Sequence, residues 1–242
     1  MKKPALICLV ACIGFAGADA LAEDDEIIVT GSRISKYESD TVPVIRIERR
    51  ADFMVLEVIV ESDSRDAKLR KDEVFRTLSA LSDRAERDQG IDLGVVRTFE
   101  TDDDEIQFVE PFNRNSIRDQ ILKSGARTDT THATVVAKTP ISANDTYDVA
   151  YGRLEAFIKG AAVTGRATVT EGDDPGLSIV DISQYRAPLL KMLASDNEAV
   201  RAVFGDQYRV TIAGLEEPVR WRVTGPLDLA IYFPYESSIA PN

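Results

Sequence analysis

The chain has 242 residues, 44% of them hydrophobic and 29% charged, and its 29 Lys and Arg face 41 Asp and Glu for a net charge of −12. These proportions are those of a globular protein, and the excess of carboxylates argues against nucleic acid and anionic lipid headgroups as partners. One histidine and two cysteines exclude a zinc centre built from several His or Cys ligands.

Residues 1–22 read as a signal peptide. Lys2 and Lys3 form a basic start, residues 5–18 carry no charge, and Ala20-Leu21-Ala22 is the small-x-small pattern of a cleavage site before Glu23. The expected product is periplasmic. Cleavage removes two lysines and Asp19, which moves the net charge from −12 to −13, and it also removes Cys8 and Cys12. The product then has no disulfide, no thiol nucleophile and no thiolate ligand. Leu9-Val10-Ala11-Cys12 also has the form of a lipobox. The alternative is therefore a lipoprotein anchored at Cys12, although the preceding apolar run is short and Ile13, Gly14 and Phe15 are not a polar tether. Beyond the signal peptide no apolar run approaches the roughly 20 residues that span a bilayer.

Residues 23–42 read as a flexible arm containing one apolar run, Ile27-Ile28-Val29. A strand is expected at 44–48 and a stronger one at 53–61, with Arg49 to Asp52 closing a hairpin between them. Residues 65–88 have helical periodicity through Leu69, Val74, Phe75, Leu78, Leu81 and Ala85, ending near Gly90. Strands follow at 91–100 and 106–109, joined by an acidic turn at Asp102 to Glu105. Residues 111–130 read as loop with one helical turn. The next strong strand is 131–139. A helix capped by Asn144 or Asp145 shows an apolar face of Tyr147, Tyr151, Leu154, Phe157 and Ile158. A strand at 166–171 and its partner at 177–182 flank the turn 172–176. Residues 184–204 form a helix with Pro188 in its first turn, and the capping-box pattern at Ser195 allows a break into two. Strands at 208–212, 219–223 and 227–235 finish the chain.

Hairpins mixed with helical crossovers predict an α+β fold, with mixed or antiparallel sheets and helices on one face. The strand-helix-strand unit recurs at 53–100 and 131–171. The expected organisation is one α+β domain over 43–242, in two lobes of 43–125 and 126–242.

The motifs of catalysis are missing. There is no G-x-S-x-G, and the lone His132 lies in a strand pattern, so it reads as an ordinary surface or core histidine. Asp102 to Glu105 lacks EF-hand spacing, and it reads, like Asp173-Asp174, as a solvated turn. No phosphate-binding glycine motif occurs. No catalytic, cofactor-binding or metal-binding residue is assigned. An enzyme with a carboxylate pair remains an alternative whose site the sequence does not locate. In Arg220-Trp221-Arg222 the strand period sends Trp221 one way, as a core anchor, and both arginines the other, as an edge suited to carboxylates.

Glu26-Ile27-Ile28-Val29-Thr30-Gly31-Ser32-Arg33-Ile34 resembles the TonB box of TonB-dependent outer-membrane receptors. The resemblance implies pairing of an extended peptide with the edge of the TonB C-terminal domain. The chain is too short for the 22-stranded barrel of such a receptor. From about Val44 to Tyr235 the chain is similar to the SIMPL (YggE-like) envelope proteins. The likeness runs through Ala51-Asp52, Gly90-Ile91, the strand around Ala133 to Ala137 and a late helix rich in Ala and Leu, although the family's late Lys/Ala-rich repeat is poor here. It implies a non-enzymatic, often oligomeric protein tied to envelope stress, with no cofactor. The expected function is binding or assembly, with a homo-oligomer and a TonB domain as candidate partners. Ile27, Ile28, Val29, Thr30, Arg220, Trp221 and Arg222 are the candidate partner-binding residues.

Overall fold

A computed structural model describes residues 26–29, 43–100, 105–124, 127, 129–172 and 174–242. The strands are β1 (Glu26–Val29), β2 (Arg46–Arg50), β3 (Phe53–Ser62), β4 (Asp92–Glu100), β5 (Glu105–Pro111), β6 (Leu122–Ser124), β7 (Thr131–Pro140), β8 (Ala167–Glu171), β9 (Gly176–Val180), β10 (Tyr208–Ala213), β11 (Arg220–Val223), β12 (Asp228–Tyr232) and β13 (Glu236–Pro241). The helices are α1 (Ala67–Arg87), α2 (Tyr147–Lys159) and α3 (Arg186–Phe204). Residues 1–22, where the signal peptide and Cys12 anchor were expected, Thr30 and the acidic stretch 102–104 lie outside the described residues.

The fold is built around β3 and β7, the two most apolar strands, which pair antiparallel from Phe53↔Pro140 to Ser62↔Thr131. Period two sends Met54, Leu56, Val58 and Val60 of β3 and Ala133, Val135 and Ala137 of β7 to one face. That face takes both helices: α1 buries Val74, Leu78 and Leu81, and α2 buries Ala150, Leu154, Phe157 and Ile158. β4 pairs with β7, and β8 pairs with β3, both antiparallel. The sheet order β4-β7-β3-β8 with helices after β3 and β7 is the connectivity of the ferredoxin-like split β-α-β arrangement. The recurrence predicted at 53–100 and 131–171 is therefore two interlocked β-α-β units. The strand after each helix pairs with the first strand of the other unit.

On the opposite face β4 continues into β5, β5 pairs with β1, β1 with β9, and β9 with Phe53 to Val55 of β3. The path β3-β7-β4-β5-β1-β9 returns to β3, a closed antiparallel ring of six strands. Val55, Val109 and Val136, with Val96 against them, form a small second core on the side away from the helices. β8 and β9 do not pair with each other, as the turn at 172–176 led one to expect. They follow one another along the same edge of β3, with Gly172 N–H donating to Glu57 O (2.9 Å) between them.

A second sheet, β11-β12-β2, extends the main core through Leu229, Ile231 and Phe233, and Leu189 of α3 belongs to the same core. The predicted hairpin between β2 and β3 does not form. β2 pairs with β12 instead (Arg46↔Tyr232 to Arg50↔Asp228), and Ala51 N–H donates to Leu227 O. The halves on either side of residue 125 are joined in the same way. β2 and β3 find their partners in the second half of the chain, and one apolar core joins the two halves. The Arg50 guanidinium adds a tie by donating to the carbonyls of Ser142, Ala143 and Asp145 (2.7, 2.7 and 2.8 Å).

Two further local expectations shift. Thr146 caps α2, because the Asp145 carboxylate is engaged by Ser142 N–H and Arg153. The Ser195 pattern does not break α3, which is continuous.

Glu73 of α1 is 5% exposed and accepts from the hydroxyls of Ser62 (2.5 Å) and Ser64 (2.8 Å). The Ser62 bond foremost, and the Ser64 bond after it, hold its carboxyl below the ordinary carboxylate value of 4.5, against the opposing effect of burial. A group whose folded pKa is depressed stabilises fully above its unfolded value and loses that contribution as pH falls toward the folded pKa. Glu73→Gln is therefore expected to lose less melting temperature than the unsubstituted chain between pH 7 and pH 4. Equal losses in thermal scans would refute the assignment.

Candidate partner-binding surfaces

The two candidate segments meet in the fold. Ile27, Ile28 and Val29 lie in β1, which is seated between β5 and β9. This part of the arm, expected to be flexible, is a strand of the main sheet. A strand has two edges, and β1 spends both: one on β9 through four residue pairs, the other on β5 at Ile27↔Phe108. While seated it has no edge left for an outside sheet.

Arg220, Trp221 and Arg222 form most of β11, the edge of the three-stranded sheet, and β11 comes within 8 Å (Cα–Cα) of β1. Trp221 is half-buried against the main core. Arg220 lies 3.6 Å from the Glu217 carboxylate, so this arginine is already engaged with a carboxylate of its own chain.

His132 stands on β7 opposite Glu61 of β3 and Lys123 of β6, with a buried Nδ1 that has no hydrogen-bond partner among the described residues. Among the described residues no group of three or more His, Cys, Asp or Glu is placed to hold a metal ion. A cavity of about 400 Å³ opens between the end of α1 and β4–β5. Its apolar floor includes Ile91, Leu93 and Phe112, while Glu86, Asp92 and Lys138 supply charge.

The sequence reading missed one surface. α3 is 19 residues long but buries only Leu189 and Leu193, both in its first half. Its last turn runs past the main core and packs beside β10, which among the described residues pairs only with β13. Val203 (80% exposed), Phe204 (44%), Tyr208 and Ile239 are left open to solvent there. Phe204 and Tyr208 pack edge to face at 5.9 Å. Val200, Val203 and Phe204 recur at helical spacing, but the core ends before the helix does. β13 carried no strand signal, since ESSIAP does not alternate apolar and polar residues.

No helix among the described residues is long and apolar enough to cross a membrane. Compared with known proteins, the chain matches no family model, no curated protein and no solved structure.

Proposed function

We propose that this chain is an exported, periplasmic protein of the cell envelope that works by binding and assembly rather than catalysis, with a homo-oligomer as its working form. The observation that carries this reading is the apolar end of α3 and β10–β13. A two-stranded sheet standing alone is marginal in water, and so is a helix whose second half has no fully buried residue. A second copy laid on the same patch about a two-fold axis covers Val203, Phe204, Tyr208 and Ile239 in both molecules at once. The resemblance of residues 44–235 to SIMPL proteins adds envelope stress as the setting.

Light scattering on residues 23–242 is the test. We expect a multiple of the chain mass, and the double substitution Val203→Asp with Phe204→Glu should reduce it to the single-chain mass with unchanged circular dichroism. A strict monomer before substitution removes the proposal.

A second reading has residues 26–34 giving a strand to the C-terminal domain of TonB, as an accessory or truncated receptor-like protein. It is favoured by the conformation of Glu26–Val29, an extended antiparallel strand of the kind β-augmentation uses. Capture of residues 23–242 by a TonB C-terminal domain, lost on deleting 23–39, supports it. No capture of the undeleted chain eliminates it.

A further inference from the structure

We propose that β1 is an exchangeable strand, and that the seat between β5 and β9 takes the Glu26–Val29 segment of a second copy of this chain. The inference rests on the assembly reading above and specifies what the copies trade. The six-stranded ring closes only through β1: without it, β5 and β9 each lose a neighbour, and the path β3-β7-β4-β5 ends in an open edge. The seat recognises backbone first. Glu26, Ile27, Ile28 and Val29 lie opposite Val180, Ile179, Ser178 and Leu177, and this pairing is the same whichever copy supplies the strand.

Thirteen residues, 30–42, separate β1 from the rest of the chain. A connector of that length spans at most about 45 Å, enough to reach a neighbouring molecule. The strand is terminal in the exported product, so exchange threads nothing through the fold. A lone copy closes its own ring, because a short tether holds a strand near its seat at a roughly millimolar effective concentration. Copies held together at the apolar patch present each other's strands at an effective concentration set by the distance between their seats. Reciprocal exchange then sacrifices no pairing.

Residues 23–242 contain no cysteine, so engineered thiols are the only ones present. Glu26 of β1 faces Val180 of β9 in register. Glu26→Cys and Val180→Cys are made in separately tagged chains, mixed under conditions that allow exchange, and oxidised. Expected is a disulfide-linked heterodimer carrying both tags, reversed by reductant, whose yield falls in proportion to the unsubstituted chain added. A double variant that closes only on itself, together with a mixture giving no heterodimer, overturns the proposal. Absence of any disulfide in either sample overturns it too, since the strand is then not in the seat. If either substitution impairs folding by circular dichroism, Ile28→Cys with Ser178→Cys offers a second register pair. Light scattering on the same mixture separates the two ideas. Oligomers without the heterodisulfide sink strand exchange and spare assembly, whereas single chains sink both.

Discussion

Phe157→Ala is expected to cost about 3–5 kcal/mol of folding stability, the range for emptying a fully buried phenylalanine site. Phe157 is 1% exposed, on the face of α2 that meets the sheet. The Arg84 guanidinium of α1 lies 5.4 Å from its ring centroid and also donates to the carbonyls of Ala156 and Gly160 at the end of α2. The ring therefore fills the core and supports the side chain that ties the two helices together, so its loss combines a cavity with a loosened α1–α2 contact. At roughly 2–4 °C per kcal/mol for a chain of this size, the melting temperature should fall by about 6–20 °C. Phe204→Ala removes the same side chain from an exposed site and should change the stability of the dissociated chain by no more than about 0.5 kcal/mol. Urea unfolding of both variants decides the matter, and comparable losses would contradict the burial described for α2.

The second large effect is expected at Gly94, on the face opposite the helices. Gly94 of β4 lies opposite Val136 of β7 and Pro111 of β5. A Cβ there would fall well inside van der Waals contact of Val109 Cγ1, 3.1 Å from Glu110 O and 3.2 Å from Val136 Cγ2. The backbone oxygen cannot swing aside, and the two valines already fill the small core with Val55. Gly94→Val should therefore destabilise by about 3 kcal/mol, the upper part of the overpacking range. Val109→Ala empties the space that the new methyls need. The double variant should be more stable than the sum of the two single losses by about 1 kcal/mol or more, as expected for residues that share a cavity. Strict additivity in the cycle would show that Gly94 does not face this core.

Local pattern carried much of the fold into the sequence. β3 and β7 were legible as runs rich in β-branched and apolar residues, and α1 and α2 because their apolar residues return every three or four positions. The α+β class and the recurrence of the β-α-β unit follow from these four elements together with the strands expected at 91–100 and 166–171. Pairing was not legible. Period two states which face of β2 is apolar but not that its neighbour is β12, about 180 residues away, and a convincing turn at 172–176 does not distinguish a hairpin from two segments following one edge of β3. β1 and β13 were missed for a related reason. Each is short, and its backbone partners, rather than its side-chain pattern, make it a strand.

The candidate surfaces divide the same way. The packing of Trp221 toward the main core could be expected from its place between two arginines on a strand. The neighbourhood of β11 and β1, and the exposure of Val203 and Phe204, could not. By itself the sequence determined where most of this chain becomes helix or strand and which faces of those elements are apolar, because those depend on contacts between near neighbours and on composition. The tertiary structure alone decided that the two β-α-β units interlock, that a six-stranded ring closes on the N-terminal segment, and that the end of α3 outruns the core. Each of these depends on which distant backbone edges and apolar faces remain unpaired once the others have met.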